Sequence, residues 1–167
     1  LETWALLAPG PSAPALVEDA LRCDRLVVVG NAFQLVDRAD ALVAADRGWW
    51  LKHPEALDFD ALRFCNSTDV NGAEYFSVCA GTGSGVMALD VALMIGARSI
   101  GLYGFDMHGS HFFGPYTNGL RNTSDQRRSI LLQQFDDWAR RNAGVSVTNY
   151  TPGSAITRFP FGDHHGD

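Results

Sequence analysis

The sequence predicts an α/β fold: a single Rossmann-like domain, with a mostly parallel sheet and helices on both faces. Three observations carry this expectation. Apolar runs alternate with helical patterns along the chain, as in a sheet wound by helices. The run Leu26-Val27-Val28-Val29 is continuously apolar, which suits a strand buried on both faces. Polar and glycine-rich punctuation closes run after run, so each strand end meets a turn.

Trp4 to Ala8 reads as the first strand, stopped by Pro9-Gly10-Pro11. Ser12 is placed to cap a helix over Ala15 to Cys23, with Glu18 and Asp19 near its positive end. Leu26 to Val29 follows as the second strand, ended by Gly30-Asn31. A helical turn over Phe33 to Val36 leads to a third strand, Ala41 to Ala45, ending at Asp46. Trp49-Trp50-Leu51 opens a short helix that Pro54 limits. Leu62 to Cys65 and Tyr75 to Cys79 are short strand candidates, the second directly before Gly81-Thr82-Gly83-Ser84-Gly85. Ser84 to Ile95 is apolar nearly all round, so it reads as a buried helix with Gly96 at its C-terminal end. Ile100 to Tyr103 is a strand closed by Gly104-Phe105-Asp106. Residues 107–123 form a long loop, of the kind that often serves as a lid. Ser124 is placed to cap a last helix with the stripe Leu131, Phe135 and Trp138. Gly144 ends it, Val145 to Val147 is a final strand, and Thr151 to Phe161 is a tail bounded by Pro and Gly.

At 167 residues the chain suits one domain, able to bury about 68–70% of its unfolded surface. That domain is expected over 1–161, with 162–167, including His164-His165, as a frayed tail. No apolar run reaches the roughly 18 residues of a membrane span. Leu1 to Leu7 shows neither the basic leader nor the apolar region of a signal peptide, and the lack of an initial Met suggests trimming. The net charge is −6, Lys52 is the single lysine, and the arginines are scattered, with only Arg127-Arg128 and Arg140-Arg141 adjacent, which disfavours dedicated nucleic-acid binding. A small anionic ligand stays open, because backbone N–H groups also supply positive potential. Cys23, Cys65 and Cys79 are odd in number and lack a C-x-x-C pair, so neither a disulfide framework nor a zinc site is expected. They read as buried free thiols in a cytoplasmic protein.

In an open parallel sheet, ligands bind outside the carboxyl ends of the strands, where the strand order reverses. The candidate residues fall at those ends: Gly10, Pro11 and Ser12, then Asn31, then Asp46, then Thr82, Gly83, Ser84 and Gly85, then Asp106. The turn at 81–85 lets backbone N–H groups approach a ligand, and the following helix adds partial positive charge. It matches neither the dinucleotide fingerprint nor a P-loop, and a tight turn with a Ser cap explains it equally well. The Asn31 amide is a candidate reader of a base edge or a simple turn former. Asp46 and Asp106 either bind ligand hydroxyls or cap the next segment. Trp49 and Trp50 either stack on a ligand ring or pack in the core. His108 and His111 in the loop are candidate general bases or solvated loop residues, and His53 has no evident partner. No spacing of His, Asp and Glu supports a metal site.

Taken in order, Gly10-Pro11-Ser12, Val29-Gly30-Asn31-Ala32-Phe33, Ser84-Gly85-Val86-Met87, Gly104-Phe105-Asp106 and Ser110-His111-Phe112-Phe113-Gly114 resemble a bacterial sialyltransferase family. The chain is also similar to the related domain of archaeal 6-hydroxymethylpterin diphosphokinases. It further resembles small phage and prophage proteins of that superfamily, with Trp49-Trp50 after the third strand and Thr151 to Ala155 in the tail. The resemblance spans about residues 5 to 161. It implies a cytidine-type nucleotide or nucleotide-sugar at Gly10 to Ser12, Asn31 and Ser84-Gly85. It also implies a catalytic role near His111 and no metal or other cofactor for chemistry. The sequence departs from the family in three places. Leu7-Ala8-Pro9 lacks the usual Gly, Pro115 stands where a further His is expected, and the lid is short.

The leading expectation is therefore a nucleotide-dependent transferase, a glycosyltransferase using a nucleotide-activated sugar. Ser12, Asn31, Thr82 and Ser84 would position the nucleotide, Asp106 a donor hydroxyl, and His111 would move the proton. Tyr103 and Tyr116 are candidates to assist a leaving phosphate. The alternatives are diphosphate transfer from ATP to a hydroxymethyl-bearing heterocycle, which needs Mg²⁺ held by carboxylates, and a non-catalytic phage binding or assembly module. The expected partner is a small nucleotide-type ligand, and a homo-oligomer is compatible with the chain.

Overall fold

A computed structural model describes residues 1–77 and 83–163. Among the described residues seven strands form one sheet: β1 (Trp4–Leu7), β2 (Arg25–Val29), β3 (Arg38–Val43), β4 (Asp60–Cys65), β5 (Glu74–Tyr75), β6 (Ser99–Tyr103) and β7 (Ser146–Asn149). Their order is β5-β4-β3-β2-β1-β6-β7, and every pairing is parallel. The α-helices of the described residues that join them are α1 (Ala13–Leu21), α2 (Arg47–Lys52), α3 (Ser84–Met94) and α4 (Asp125–Arg141). Single 3₁₀ segments follow β2 at Gly30–Leu35 and α2 at Pro54–Asp58. This is the α/β architecture expected from the alternation of apolar runs and helical patterns.

Side chains alternate across each strand, and the two faces carry separate cores. Leu6, Val27, Val29 and Val43 lie on the face covered by α3, α4 and the tail residues Ile156 and Phe159. Leu7, Leu26, Val28 and Leu42 lie on the other face, under α1, α2 and the two 3₁₀ segments. Leu6, Leu7, Val27, Val28, Leu42 and Val43 are fully buried, each contributing about 1.5–3 kcal/mol relative to exposure. The double coverage explains why β2 reads as an unbroken apolar run rather than an alternating one.

Sequence order runs outward from β1 through β5, then returns through α3 to place β6 on the far side of β1. The reversal therefore lies between β1 and β6, whose paired ends are Leu7 and Tyr103. The segments leaving those ends are Ala8-Pro9-Gly10 and Gly104-Phe105-Asp106. Gly104 adopts a φ of 74°, a left-handed turn that an L side chain rarely takes.

Several local expectations change. The first helix starts at Ala13, two residues early, because Pro14 suits its first turn. Glu18 and Asp19 consequently fall in its second half rather than near its positive end, and Ser12 gives it no side-chain cap. Of the strand expected over Tyr75 to Cys79, the described residues show pairing at Glu74–Tyr75, and Cys79 lies outside the described residues. The His164-His165 pair also lies outside them. By contrast, Ser124 caps α4 as expected, its Oγ accepting from the Arg127 N–H at 3.1 Å. Gly96, with a φ of 119°, follows the end of α3.

Candidate functional site

The reversal between β1 and β6 is locked by one carboxylate. Asp106 is 4% exposed, and its Oδ2 accepts from the Ser12 hydroxyl at 2.7 Å and the Ser12 N–H at 3.2 Å. The Ser12 side chain thus ties the α1 entrance to the β6 exit rather than capping its own helix. Gly10 makes this approach possible. A Cβ there would overlap Asp106 Oδ2 and the Gly104 carbonyl oxygen. Behind Asp106, the tail braces the same segment, with Phe105 N–H donating to Thr151 Oγ1 at 3.1 Å and Ala155 N–H to the Asp106 carbonyl at 2.9 Å.

A cavity of about 340 Å³ opens above these strand ends. Its walls come from the exits of β1 (Ala8 to Gly10), β2 (Val29, Gly30), β3 (Ala44, Asp46) and β6 (Gly104 to Asp106), and from Trp49 of α2. The first turn of α3, Gly83 to Val86, forms one side, and Arg127, Arg128, Leu131 and Phe135 of α4 form another. The loop 107–123 closes over it with Met107 to His111, Pro115, Tyr116 and Arg121 to Thr123. Sequence-distant punctuation thus converges on one space, as the switch-point geometry requires.

The start of α3 is tightly seated. Ser84 Oγ accepts from the Ala45 N–H at 3.0 Å, pinning the helix to the end of β3. Gly83 N–H donates to Gln134 Oε1 at 3.1 Å, and a Cβ on Gly83 would stand 2.6 Å from Leu131. A Cβ on Gly85 would meet Phe135 at 3.0 Å and Phe105 at 3.1 Å. These glycines let α4 press against α3. The first-turn N–H groups of Ser84, Gly85 and Val86 have no partner inside the helix, and they border the cavity. Gly81 and Thr82 lie outside the described residues.

His111 is half-buried on the loop. Its ring stacks on Phe113 with centroids 4.7 Å apart and meets Tyr116 at 4.5 Å. Nδ1 lies 3.3 Å from the Gly114 carbonyl, which only accepts, so Nδ1 carries the proton and Nε2 keeps a free lone pair. Burial pushes its pKa below the ordinary value, and the Gly114 carbonyl offsets part of that. A neutral imidazole with an open Nε2 suits a general base. Tyr116 is pushed up to about 12, first by burial and then by the charge of Asp46, so its hydroxyl stays protonated. His108 also borders the cavity, with Nε2 donating to the Gly153 carbonyl at 3.0 Å.

Not every candidate reaches the cavity. Pro11, Ser12 and Asn31 are absent from its walls. Asn31 is 4% exposed, and its amide bonds Trp49, His53 and Tyr116. Tyr103 points to the opposite face, near Cys23 and stacked on Tyr150, with burial raising its pKa. Trp50 is core, its indole N–H donating to the Ala44 carbonyl at 2.9 Å, whereas Trp49 is buried yet borders the cavity. Cys65 is a buried free thiol and Cys23 a partly buried one. Among the described residues no group of three or more His, Cys, Asp or Glu side chains is placed to hold a metal. Among them, too, no helix is long and apolar enough to cross a membrane.

Two features escaped the sequence. Arg121 stands apart from the adjacent Arg127-Arg128 in the sequence, yet all three border one cavity in a protein of net charge −6. Arg128 also bonds Asp125 at 3.3 Å and the Gly109 carbonyl at 3.0 Å, joining the loop to α4. The adjacent Arg127-Arg128 just after a Ser cap was the available signal. The bracing role of the tail, with Thr151 and Ser154 buried, is not readable from the sequence, where Thr151 to Ala155 stands out only as Pro-Gly punctuation and as part of the resemblance.

No family model matches the sequence, and no curated protein matches it. Solved structures do match in three dimensions. The MAf glycosyltransferase from Magnetospirillum magneticum AMB-1 aligns with a TM-score of 0.72 at 12% identity, over 100% of this chain and 34% of that one. The chain therefore spans about a third of that protein's length. The sialyltransferase CstII from Campylobacter jejuni, solved with the substrate analogue CMP-3FNeuAc, aligns at 0.55 and 10% identity, over 98% of this chain and 87% of that one. The same enzyme with a trisaccharide acceptor and CMP aligns at 0.56 and 11% identity, with the same coverage. The chain has the α/β fold that these glycosyltransferases and sialyltransferases share.

Proposed function

We propose that this chain is the nucleotide-sugar-binding part of a glycosyltransferase. The observation that carries the reading is the cavity at the strand-order reversal, where the first turn of α3, the three arginines and His111 share one space. The fold shared with the glycosyltransferases supports it. Phosphate oxygens of the donor lie against the α3 N–H groups and the arginines, which counter their charge. His111 Nε2 takes the proton from an acceptor hydroxyl as its oxygen attacks the anomeric carbon. The bond from that carbon to the phosphate oxygen breaks, and the nucleotide leaves with the electron pair. The arginines stabilise the charge that develops there. Asp106, tied to Ser12, keeps the floor of the site in place.

Calorimetry with CMP, UDP, GDP and ATP tests the reading. One of these is expected to bind well below about 1 mM, with the matching sugar nucleotide hydrolysed or transferred by wild type and not by His111→Ala. Absence of binding by all four at that concentration overturns the nucleotide assignment.

A further inference from the structure

Asn31, His53 and Trp49 form a buried polar group beneath the cavity that the transfer chemistry leaves unused. Asn31 is 4% and His53 6% exposed. The proton positions in this group are forced. An indole N–H only donates, so the oxygen of Asn31 faces Trp49 Nε1 at 2.8 Å. The amide nitrogen then faces His53 Nε2 at 3.2 Å, and that nitrogen must accept. His53 Nδ1 therefore carries the proton and donates to the Trp49 carbonyl at 2.8 Å. The His53 ring also stacks on Trp49 with centroids 4.5 Å apart. Each assignment agrees with the next, and such a set is stable in a core only when its members are satisfied together.

The Tyr116 side chain links this group outward, bonding Trp49 as well as Asn31. Asn31 Oδ1 accepts a second hydrogen bond, at 3.3 Å, from the hydroxyl of Tyr116. Tyr116 belongs to the loop 107–123, and its backbone is otherwise paired with exposed Asn122 of the same loop. Its ring meets His111 at 4.5 Å and Phe113 at 5.4 Å. A continuous path thus runs from His53 through Asn31 and Tyr116 to the His111 ring. We propose that His53 and Asn31 are positioning residues, which hold His111 over the cavity by anchoring Tyr116. The role in turnover rests on His111 as the base proposed above. The positional link does not.

Three variants test it. His53→Gln keeps an acceptor near the Nε2 position, His53→Phe keeps a ring on Trp49 without either nitrogen, and Tyr116→Phe keeps the ring but removes the hydroxyl and its bonds to Asn31 and Trp49. The readouts are the His111 Cε1–H resonance, assigned by its loss in His111→Ala, together with thermal unfolding and a split of kcat from donor KM. Tyr116→Phe and His53→Phe are expected to shift the resonance and lower kcat on the order of 10- to 100-fold, as misplacement of a reacting group does, with donor KM unchanged. His53→Gln is expected to behave as wild type. An unmoved His111 resonance in folded Tyr116→Phe overturns the proposal, whether or not kcat falls. So does a His53→Gln protein that behaves like His53→Phe. Should His53→Phe fail to fold, the other two variants decide. If wild type binds no nucleotide, the transferase reading fails while the resonance shift still decides the positional link.

Discussion

Replacing Gly10 by Ala tests the joint between β1 and β6 directly. The added methyl would overlap Asp106 Oδ2 and the Gly104 carbonyl oxygen, and would stand 2.9 Å from Asp106 Cγ. Neither obstacle yields easily. Gly104 is backbone in a left-handed turn, and Asp106 is buried with both of its Ser12 bonds on the same oxygen. Overpacking alone costs about 1–3 kcal/mol. Moving the carboxylate also weakens hydrogen bonds to a charged group, worth about 1.5–3 kcal/mol where fully lost. The two terms share one displacement, so they do not simply add, and a loss of about 3 kcal/mol follows. For a chain of this size each kcal/mol lowers Tm by roughly 2–4 °C, giving a drop of roughly 6–12 °C. Gly144→Ala is the control, because a Cβ there meets nothing within 4 Å. Thermal unfolding followed by circular dichroism compares the two variants. A Gly10→Ala protein whose Tm stays within about 2 °C of wild type refutes the reasoning, since that shift corresponds to only about 1 kcal/mol.

Three further outcomes are expected. Arg127→Ala combined with Arg128→Ala is expected to weaken binding of the nucleotide found by calorimetry about 10- to 100-fold, with a shallower salt dependence, because charge-assisted bonds to phosphate are lost. Ser84→Ala removes the acceptor of the Ala45 N–H at 3.0 Å and is expected to destabilise by about 1–3 kcal/mol in urea titration, through a donor left unpaired. The lowered pKa of His111 keeps the imidazole neutral below the ordinary histidine range, so the acid limb of kcat/KM is expected below that range. The unfolded chain takes up this proton first on acidification. Stability attributable to His111 is therefore intact above the ordinary histidine value and falls as pH drops through the lowered one, a trend that His111→Ala should remove in pH-dependent unfolding.

Much of the site was legible because strand ends announce themselves. Gly10, Asp46, Gly83 to Gly85 and Asp106 stand out as punctuation after apolar runs, His111 as a histidine in the loop beyond one, and all of them border the cavity. Asn31 was picked out for the same reason but is drawn into the core. Its position after β2 is local information, whereas its partners come from two other segments, Trp49 and His53 from α2 and its C-terminal end and Tyr116 from the loop 107–123. Ser12 shows the same limit. A serine before a helix reads as its cap, and only the arrival of Asp106 from 94 residues away redirects the hydroxyl.

The sequence by itself determined the class of fold, since alternating apolar runs and helical patterns leave a doubly covered parallel sheet as the arrangement that buries them. It also determined where the chain turns, and hence which residues stand at strand ends. Only the tertiary structure decided which of those ends meet. That depends on strand order, here the return of β6 to the far side of β1, and strand order arises from long-range packing that leaves no local pattern. The same packing brought Arg121, Arg127 and Arg128 to one wall and turned Asn31 toward His53. Charge and hydrogen-bonding capacity are written residue by residue, but their partners are chosen by the fold.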